Sequence, residues 1–384
     1  MVAGSIPAVG VPHVCKRSGD NATLRPLLFL PEGGIIFLPP RGEHLKGQKP
    51  PFLPDKFRLC KQLRPVSHAG LFCCYTVINV DSGGQQMTVI DYCVETPELN
   101  LCLMSDLHIG GLHVDYNLIE KELSTAKKRG AKILVNGDIF DAIMPGDRKR
   151  YRANNLHPRM YSAGDDMLGE SIRWAYEILA PYKDDIIMLG DGNHDDSVAR
   201  YHHIEPVKQL VVLLNGTSGK IQYGGYHGFI HIQMRPYKEH ARVGHYVIHY
   251  HHGAGGAAPV TKGAITFSRA AMWIEGADAI WRGHTHHRQA GRDNKVVFNK
   301  SIVNLENRVQ TRDVLTLRTG SYFDTYKGTT SADLIKNGRK DSYAALWDSP
   351  SLPKGGLMLN LTASKPQATR GHGAGVVVVD TLEI

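Results

Sequence analysis

Five short segments carry the aspartate, asparagine and histidine residues of this chain that could bind metal ions. Each segment directly follows an apolar run, and the five span residues 105–108, 136–141, 190–195, 249–253 and 282–286. Oxygen and nitrogen donors of this kind suit zinc, iron or manganese, whereas soft metals prefer thiolates. None of the five segments contains a cysteine. Their composition therefore predicts a metal site built from carboxylates, amides and imidazoles.

The spacing within two segments favours ligation of one ion by two neighbouring side chains. Asp106 and His108 are two residues apart, and so are His284 and His286. In an extended chain, residues two apart project from the same side, so each pair could grip one ion. A single pair of this kind is common by chance. The prediction depends on all five segments occurring together.

The second and third segments supply further oxygen donors. Asp138 follows Gly137, which lets the backbone turn sharply at a strand end, and a single carboxylate there could bridge two ions. Asn193 offers a neutral carbonyl oxygen. Asp141 is ambiguous, because it could instead cap a helix. These segments therefore hold enough donors for a site with two ions.

The elements that must position these segments alternate between strands and helices. Apolar runs predict strands at residues 101–104, 132–135, 186–189, 245–250 and 277–281. Helical spacing predicts helices at residues 116–128, 165–179, 205–214 and 264–275. Further strands are expected at residues 295–298, 302–305, 314–318 and 375–379. This order indicates an α/β fold, in which ligands bind beyond the carboxyl ends of the strands.

Residues 1–97 differ from the rest of the 384-residue chain, because they are rich in proline and glycine. We expect an N-terminal extension there, partly β or irregular, followed by a catalytic domain over 98–384. Two β-like runs, 75–80 and 87–92, predict a hairpin. The six cysteines all lie at or before Cys102. We expect free thiols, and a zinc site from Cys60, Cys73, Cys74 and His68 is the weaker alternative.

The sequence shows no feature of a membrane protein or of an exported one. No apolar run reaches the roughly 18 residues that span a bilayer. The first twenty residues lack the basic start and continuous apolar stretch of a signal peptide. We therefore expect a cytoplasmic location and no membrane partner.

The order DxH, GDxxD, GNHD, a histidine and GHxH resembles the calcineurin-like metallophosphoesterase superfamily. The resemblance covers roughly residues 101–322. It implies an α/β fold, a four-layer α/β/β/α sandwich of two mixed sheets flanked by helices, to which the N-terminal segment is an addition. It also implies two divalent metal ions, with manganese, iron or zinc as the expected metals.

The resemblance implies a role for each matching residue. Asp106, His108 and His286 would hold one ion. Asn193, a histidine of the fourth segment and His284 would hold the other, and Asp138 would bridge both. His194 would be the catalytic histidine, oriented by Asp195. Asp141 would hold a ligand histidine in its tautomer.

The histidine of the fourth segment stays open among His249, His251 and His252. In the superfamily this ligand directly follows a strand and precedes a loop. His251 fits that description best, and it shares strand parity with His249. The two histidines not used as ligands could reach the substrate or support the ligands.

The resemblance implies a dinuclear metal-dependent phosphoester hydrolase, acting as a phosphatase or phosphodiesterase. A hydroxide bridging the metals would attack phosphorus while His194 assists. Arg200 could contact a substrate phosphate, or be a solvated helix arginine. The substrate is left open by the motifs, which define the chemistry only.

Two other functions are weighed against this one. A DNA exo- or endonuclease of the repair-nuclease branch is favoured by the net charge of +8 and by a basic cluster, with nucleic acid as a possible partner. The cluster comprises Arg148, Lys149, Arg150 and Arg152. A metal-bound but non-catalytic interaction scaffold is disfavoured, because every motif is intact.

Overall fold

The computed structural model describes a large part of the chain. The described residues are 27–29, 35–37, 87–141, 145, 151, 155–217, 219–235, 244–255, 264–326, 330–337, 342–346, 348, 350–363 and 377–383. Residues 1–60 and residues 61–384 form separate compact units. In the first unit, the described residues form a two-stranded antiparallel pair, β1 (Leu27–Phe29) and β2 (Ile35–Phe37).

The second unit contains all five polar segments. Its strands are β3 (Thr88–Val94), β4 (Glu98–Met104), β5 (Lys132–Asn136), β6 (Ile186–Gly190), β7 (Gln222–Gly225), β8 (His227–Met234), β9 (Gly244–His251), β10 (Ala279–Arg282), β11 (Gln289–Phe298), β12 (Val309–Arg318), β13 (Leu357–Ala363) and β14 (Val377–Glu383). Its helices are α1 (Tyr116–Lys128), α2 (Pro158–Ser162), α3 (Met167–Leu179), α4 (Asn193–His202), α5 (Pro206–Asn215), α6 (Ala264–Trp273), α7 (Ser331–Asn337) and α8 (Tyr343–Leu346). Single 3-10 turns span Gly164–Asp166, Ala180–Tyr182 and Leu305–Arg308.

The strands of this unit form two mixed six-stranded sheets. The first sheet has the order β14-β13-β4-β5-β6-β7, in which β4 to β7 run parallel and β13 runs antiparallel to both of its neighbours. The second sheet has the order β11-β12-β10-β9-β8-β3, with β9, β10 and β12 parallel. In both sheets, the polar segments follow the carboxyl ends of parallel neighbours. The segments therefore come from adjacent strands.

Local sequence patterns account for typical elements of each kind. In β8, buried and half-buried residues alternate along the whole strand, as a strand with two different faces requires. In α1, the buried residues Ile119, Leu123 and Ala126 lie on one face of the helix. The Asp115 carboxylate caps this helix by accepting a hydrogen bond from the Leu118 amide at 3.0 Å. The helix is followed by Gly130, which has a φ of 60°.

The buried side chains divide the unit into four layers. One core lies between the sheets and includes Leu103, Leu134, Tyr250 and Trp281, all with no exposed surface. A second core packs α1, α3 and α5 against the outer face of the first sheet. A third packs α6 against the outer face of the second sheet. The predicted α/β/β/α sandwich is confirmed.

Several local predictions differ from the structure. The strand expected at residues 302–305 is wrong, because the chain there turns into the 3-10 turn Leu305–Arg308 between β11 and β12. The first half of the expected hairpin, residues 75–80, lies outside the described residues. Its second half, β3, pairs in parallel with β8. The division of the chain at residue 97 stays a prediction. Among the described residues, no helix is long and apolar enough to cross a membrane.

The packing between the sheets predicts a large difference between two identical substitutions. Leu103 is fully buried in the inter-sheet core, whereas Leu213 on α5 is 51% exposed. Leu103→Ala is expected to lower the free energy of unfolding by about 2–5 kcal/mol. Leu213→Ala should change it by less than about 0.5 kcal/mol. Urea titration followed by circular dichroism measures both, and equal losses would contradict the assignment of Leu103 to the core.

Candidate metal centre

One cluster of donors forms where the first and fifth segments meet. The His286 Nε2 atom lies 3.3 Å from Asp106 Oδ1 and 3.3 Å from His108 Nε2. The His108 Nε2 atom lies 4.0 Å from Asp106 Oδ1. One donor atom from each of the three residues lies within 4.8 Å of the others, and Asp106 and His108 are buried. This arrangement could hold one metal ion.

A second cluster joins Asp138 with histidines of the fourth and fifth segments. Donor atoms of Asp138, His252 and His284 lie within 4.8 Å of one another. The His252 Nε2 atom lies 3.2 Å from Asp138 Oδ2 and 3.2 Å from the Asn193 side-chain oxygen. The structure thus brings Asn193 to the same place. These four residues could hold a second ion.

Asp138 lies between the two clusters. Its Oδ2 atom is 3.8 Å from His108 Nε2 and 3.2 Å from His252 Nε2. Burial disfavours the charged carboxylate, but the facing histidines, His252 foremost, outweigh this effect and hold the pKa of Asp138 well below its usual range. Asp138 therefore occupies the position that a carboxylate bridging two ions would need.

The structure places His252, and not the expected His251, in the second cluster. The His252 Nδ1 atom is 2.8 Å from the Asn136 carbonyl oxygen, which directs Nε2 towards Asp138. A backbone carbonyl on one ring nitrogen is the usual way of orienting a ligand histidine. His251 is the last residue of β9 and its ring stacks on His227 instead, with centroids 5.5 Å apart. Strand pairing continues for one residue beyond β9, because the His252 amide donates to the Tyr226 carbonyl and the His252 carbonyl accepts the Gly283 amide. His252 therefore projects from the same face as Tyr250, towards the centre, whereas His251 projects from the opposite face.

The histidine expected to be catalytic has a different partner from the one predicted. The His194 Nδ1 atom lies 3.3 Å from Asp141 Oδ1, and the His108 Nδ1 atom lies 3.7 Å from the same oxygen. Asp195 does not orient His194. Its carboxylate accepts backbone N–H groups of Gly192 at 2.9 Å, Ile139 at 3.3 Å and Phe140 at 3.2 Å. Asp195 thereby ties the start of α4 to the loop after β5.

The two carboxylates consequently differ in their protonation. His108 and His194 act against the burial of Asp141 and keep its pKa below the usual range. Burial, reinforced by the neighbouring charge of Asp138, raises the pKa of Asp195 well above its usual range. Asp141 is therefore the carboxylate that stays charged beside His194.

Most candidate ligands have an unusual backbone conformation. Of the seven non-glycine residues with positive φ in the described part of the chain, five are candidate ligands. They are Asp106, His108, Asp138, His284 and His286, with φ between 48° and 66°. The extended geometry expected for the DxH and HxH pairs is therefore wrong. Left-handed turns after the strand ends bring these side chains together, and such strain clusters at functional sites.

The first segment is tied directly to the second and fifth. The Asp106 amide donates to the Gly137 carbonyl at 2.9 Å, and the His108 amide donates to the Asp138 carbonyl at 3.0 Å. The Asp106 carboxylate accepts the backbone N–H of His284 at 3.1 Å. Each loop thus continues the pairing of its strand. The candidate ligands of both clusters are therefore held by one hydrogen-bonded stretch of backbone.

The donor set fits divalent ions such as zinc, iron or manganese. It consists of imidazoles, carboxylates and one amide oxygen, which are the donors these ions accept. Asp106 and Asp138 are 0% and 1% exposed, and among the described residues neither forms an ion pair with lysine or arginine. Buried carboxylates require a nearby cation. Bound ions would supply that charge.

The remaining predicted residues lie outside the two clusters. Arg200 is exposed on α4 and pairs with Asp196 at 2.6 Å. His249 is buried on the outer face of the second sheet, next to Phe229. One contributor was missed from sequence: Phe323 packs 4.5 Å from the His108 ring and 5.9 Å from the His286 ring, measured between centroids. The only sequence signal for Phe323 is its position directly after residue 322, the last residue covered by the resemblance.

Comparisons with known proteins add a distant likeness to solved structures. No family model and no curated protein matches the chain. A solved structure from Streptococcus pneumoniae TIGR4, a conserved uncharacterized protein described as a predicted phosphoesterase, is 14% identical. The match covers 61% of this chain and 78% of that chain, with a TM-score of 0.23. A likeness this distant carries no argument, so the function must be inferred from the site.

The choice between His252 and His251 can be tested by metal analysis. His252→Ala removes an imidazole facing Asp138 and Asn193, so loss of the second ion is expected. His251→Ala, the matched control, leaves both clusters complete and should retain both ions. Mass spectrometry of each protein after equilibration with Mn²⁺ gives the metal content. Loss of metal from His251→Ala alone would show that the assignment is wrong.

Proposed function

We propose that this protein hydrolyses phosphoesters at a centre of two divalent metal ions. The observation that carries the proposal is the position of buried Asp138 between two donor clusters. Asp106, His108 and His286 would hold one ion, and Asn193, His252 and His284 the other, with Asp138 shared by both. Two ions a few ångströms apart are the usual means of cleaving phosphoesters by in-line displacement.

When bound, the ions would polarise the phosphoryl oxygens and lower the pKa of water, so that a nucleophile exists near neutral pH. The chain itself supplies the proton transfer. His194 is partly exposed beside His108, with ring centroids 4.6 Å apart. Asp141 Oδ1 lies 3.3 Å from Nδ1 of His194, so the carboxylate would favour a proton on Nδ1 and leave Nε2 to face the substrate. His194 would then donate a proton to the leaving oxygen.

The proposal favours an enzyme over a non-catalytic scaffold. A scaffold needs only the ligands, whereas His194 and Asp141 form an additional pair that ligates no ion in this assignment. A cavity of about 850 Å³ also opens beside the ligand Asn193, giving room for a substrate. The basic cluster that favours a nuclease lies outside the described residues, and the nuclease stays an alternative.

The bridging role of Asp138 predicts a severe loss of activity on substitution. Asp138→Asn keeps the shape of the side chain but removes the charge shared by the two ions. The kcat/KM for a chromogenic phosphomonoester or phosphodiester in Mn²⁺ should fall by more than about 100-fold. Asp313→Asn, at an exposed position of β12, is the control and should be unaffected. Unchanged hydrolysis by Asp138→Asn would exclude the bridging assignment.

The pairing of His194 with Asp141 predicts a dependence on the leaving group. Asp141→Asn removes the carboxylate that orients His194, so kcat should fall by about 100-fold for an alkyl phosphate, whose leaving oxygen needs a proton. The loss should be much smaller for p-nitrophenyl phosphate, whose leaving group needs little assistance. Equal losses for both substrates, with metal content intact, would contradict a proton-donating role.

Asp195 provides the contrasting case. Asp195→Ala leaves three buried backbone N–H groups without an acceptor, so it should lower the free energy of unfolding by about 1–3 kcal/mol. Its effect on kcat should not depend on the leaving group. Thermal denaturation and the same two substrates measure both quantities. A leaving-group dependence in Asp195→Ala would restore the role expected from sequence.

A further inference from the structure

The cavity beside the proposed metal centre is lined by an unusual set of polar and aromatic groups. It has a volume of about 850 Å³ and reaches from the ligand Asn193 to the outer face of the second sheet. The lining includes Arg200, Tyr226, His249, His251, Trp273 and Arg282. None of these residues is needed for either donor cluster. Metal binding therefore does not account for the presence of these residues in the cavity wall.

Among the described residues of the cavity wall, Arg282 is the only cation without a neighbouring carboxylate. Arg200 also lines the cavity, but it pairs with Asp196 at 2.6 Å. Arg282 is half-buried at the end of β10, and no carboxylate of the described residues lies within 4 Å of its guanidinium. A guanidinium stays protonated at any ordinary pH. A partly buried, unpaired charge is costly unless an anion compensates it.

Histidines of the same sheet face surround this guanidinium. His251 on β9 is the strand-pairing partner of Arg282, and its ring stacks on His227 of β8. The His251 Nδ1 atom accepts the Gly253 amide at 2.9 Å, so its proton is on Nε2 and can be donated. His249 is fully buried, and neither of its ring nitrogens has a hydrogen-bond partner among the described residues. The cavity thus combines one charge with unused hydrogen-bonding groups.

The place of Arg282 in the chain connects this wall to the metal centre. Arg282 is two residues before the ligand His284, a separation of at most about 7 Å along the backbone. Side chains alternate along β10, so Arg282 lies on the outer face while Trp281 lies between the sheets. Arg282 and the candidate ligand Asn193 line the same cavity, and Arg282 belongs to neither donor cluster.

We propose that Arg282, with the histidines around it, binds a second phosphate group of the substrate. The planar guanidinium fork matches two phosphate oxygens, and neutral histidines add single N–H donors. In this arrangement, which rests on the proposed function, one phosphate lies on the metals and the second, carried by the leaving group, lies at Arg282. The favoured substrates are therefore compounds that carry two phosphates, such as nucleoside bisphosphates.

Kinetics of the Mn²⁺-loaded enzyme give the first test. Adenosine 3′,5′-bisphosphate is compared with adenosine 5′-monophosphate, which lacks the second phosphate. Arg282→Gln is expected to raise the KM for the bisphosphate at least tenfold and the KM for the monophosphate less than threefold. Arg292→Gln, at an exposed position of β11, makes the same charge change and should alter neither. An equal effect on both substrates, or no effect, would overturn the proposal.

Binding without catalysis gives the second test and separates the two proposals. Inorganic phosphate is titrated by calorimetry into the full-length protein in excess chelator. Arg282→Gln should weaken this binding at least tenfold, while Arg282→Lys, which keeps the charge but not the planar fork of N–H donors, should weaken it less.

If neither adenosine compound is hydrolysed but phosphate binding depends on Arg282, the hydrolase proposal fails and the phosphate subsite stands. Phosphate binding that does not depend on Arg282 excludes the subsite. Thermal denaturation confirms that each variant is folded.

Discussion

The electrostatic constraint on which this site depends is the burial of Asp106 and Asp138 close together. Each carboxylate makes ionisation of the other less favourable, and burial removes the water that would screen them. Among the described residues, the imidazoles that favour their charged forms are those of His108, His194, His252 and His286. Neutral imidazoles offset little charge, and cations held between these groups would supply the charge that they lack. Without cations, the same groups would have to bind protons.

The sandwich meets this constraint by holding the candidate ligands at the ends of paired strands. Backbone hydrogen bonds continue from β4 and β5 into the loops, so Asp106 and Asp138 move as one frame. Glycines allow the close approach of these loops, since a Cβ on Gly192 would collide with Asp138 and one on Gly283 with Asp106. The left-handed conformation of the ligands adds local strain, which the two packed cores around the sheets can sustain.

The second sheet presents different chemistry on its two faces. Inward side chains of β9 and β10, such as Tyr250 and Trp281, fill the core between the sheets. Outward side chains of the same strands, His249, His251 and Arg282, line the cavity. Because successive residues alternate between the faces, one pair of strands builds both the core and the cavity wall. The ligands follow directly where the strands end, so the wall and the metal centre share an edge.

The sequence by itself determined the donor types, their positions after apolar runs and the α/β class, because these are local properties of composition and periodicity. Six of the seven predicted ligands, all except His251, lie in the two clusters.

Only the tertiary structure decided the rest. His251 was favoured because it was expected to follow the strand directly, but the strand pairing runs on through His252. Which face of that strand meets the centre depends on its contact with β5, where the His252 ring reaches the Asn136 carbonyl. Likewise, the resemblance implied Asp195 as the partner of His194, whereas Asp141 lies next to that ring from the loop after another strand. Contacts between side chains from distant segments depend on how the strands are placed in the folded protein. No single segment of the sequence contains that information.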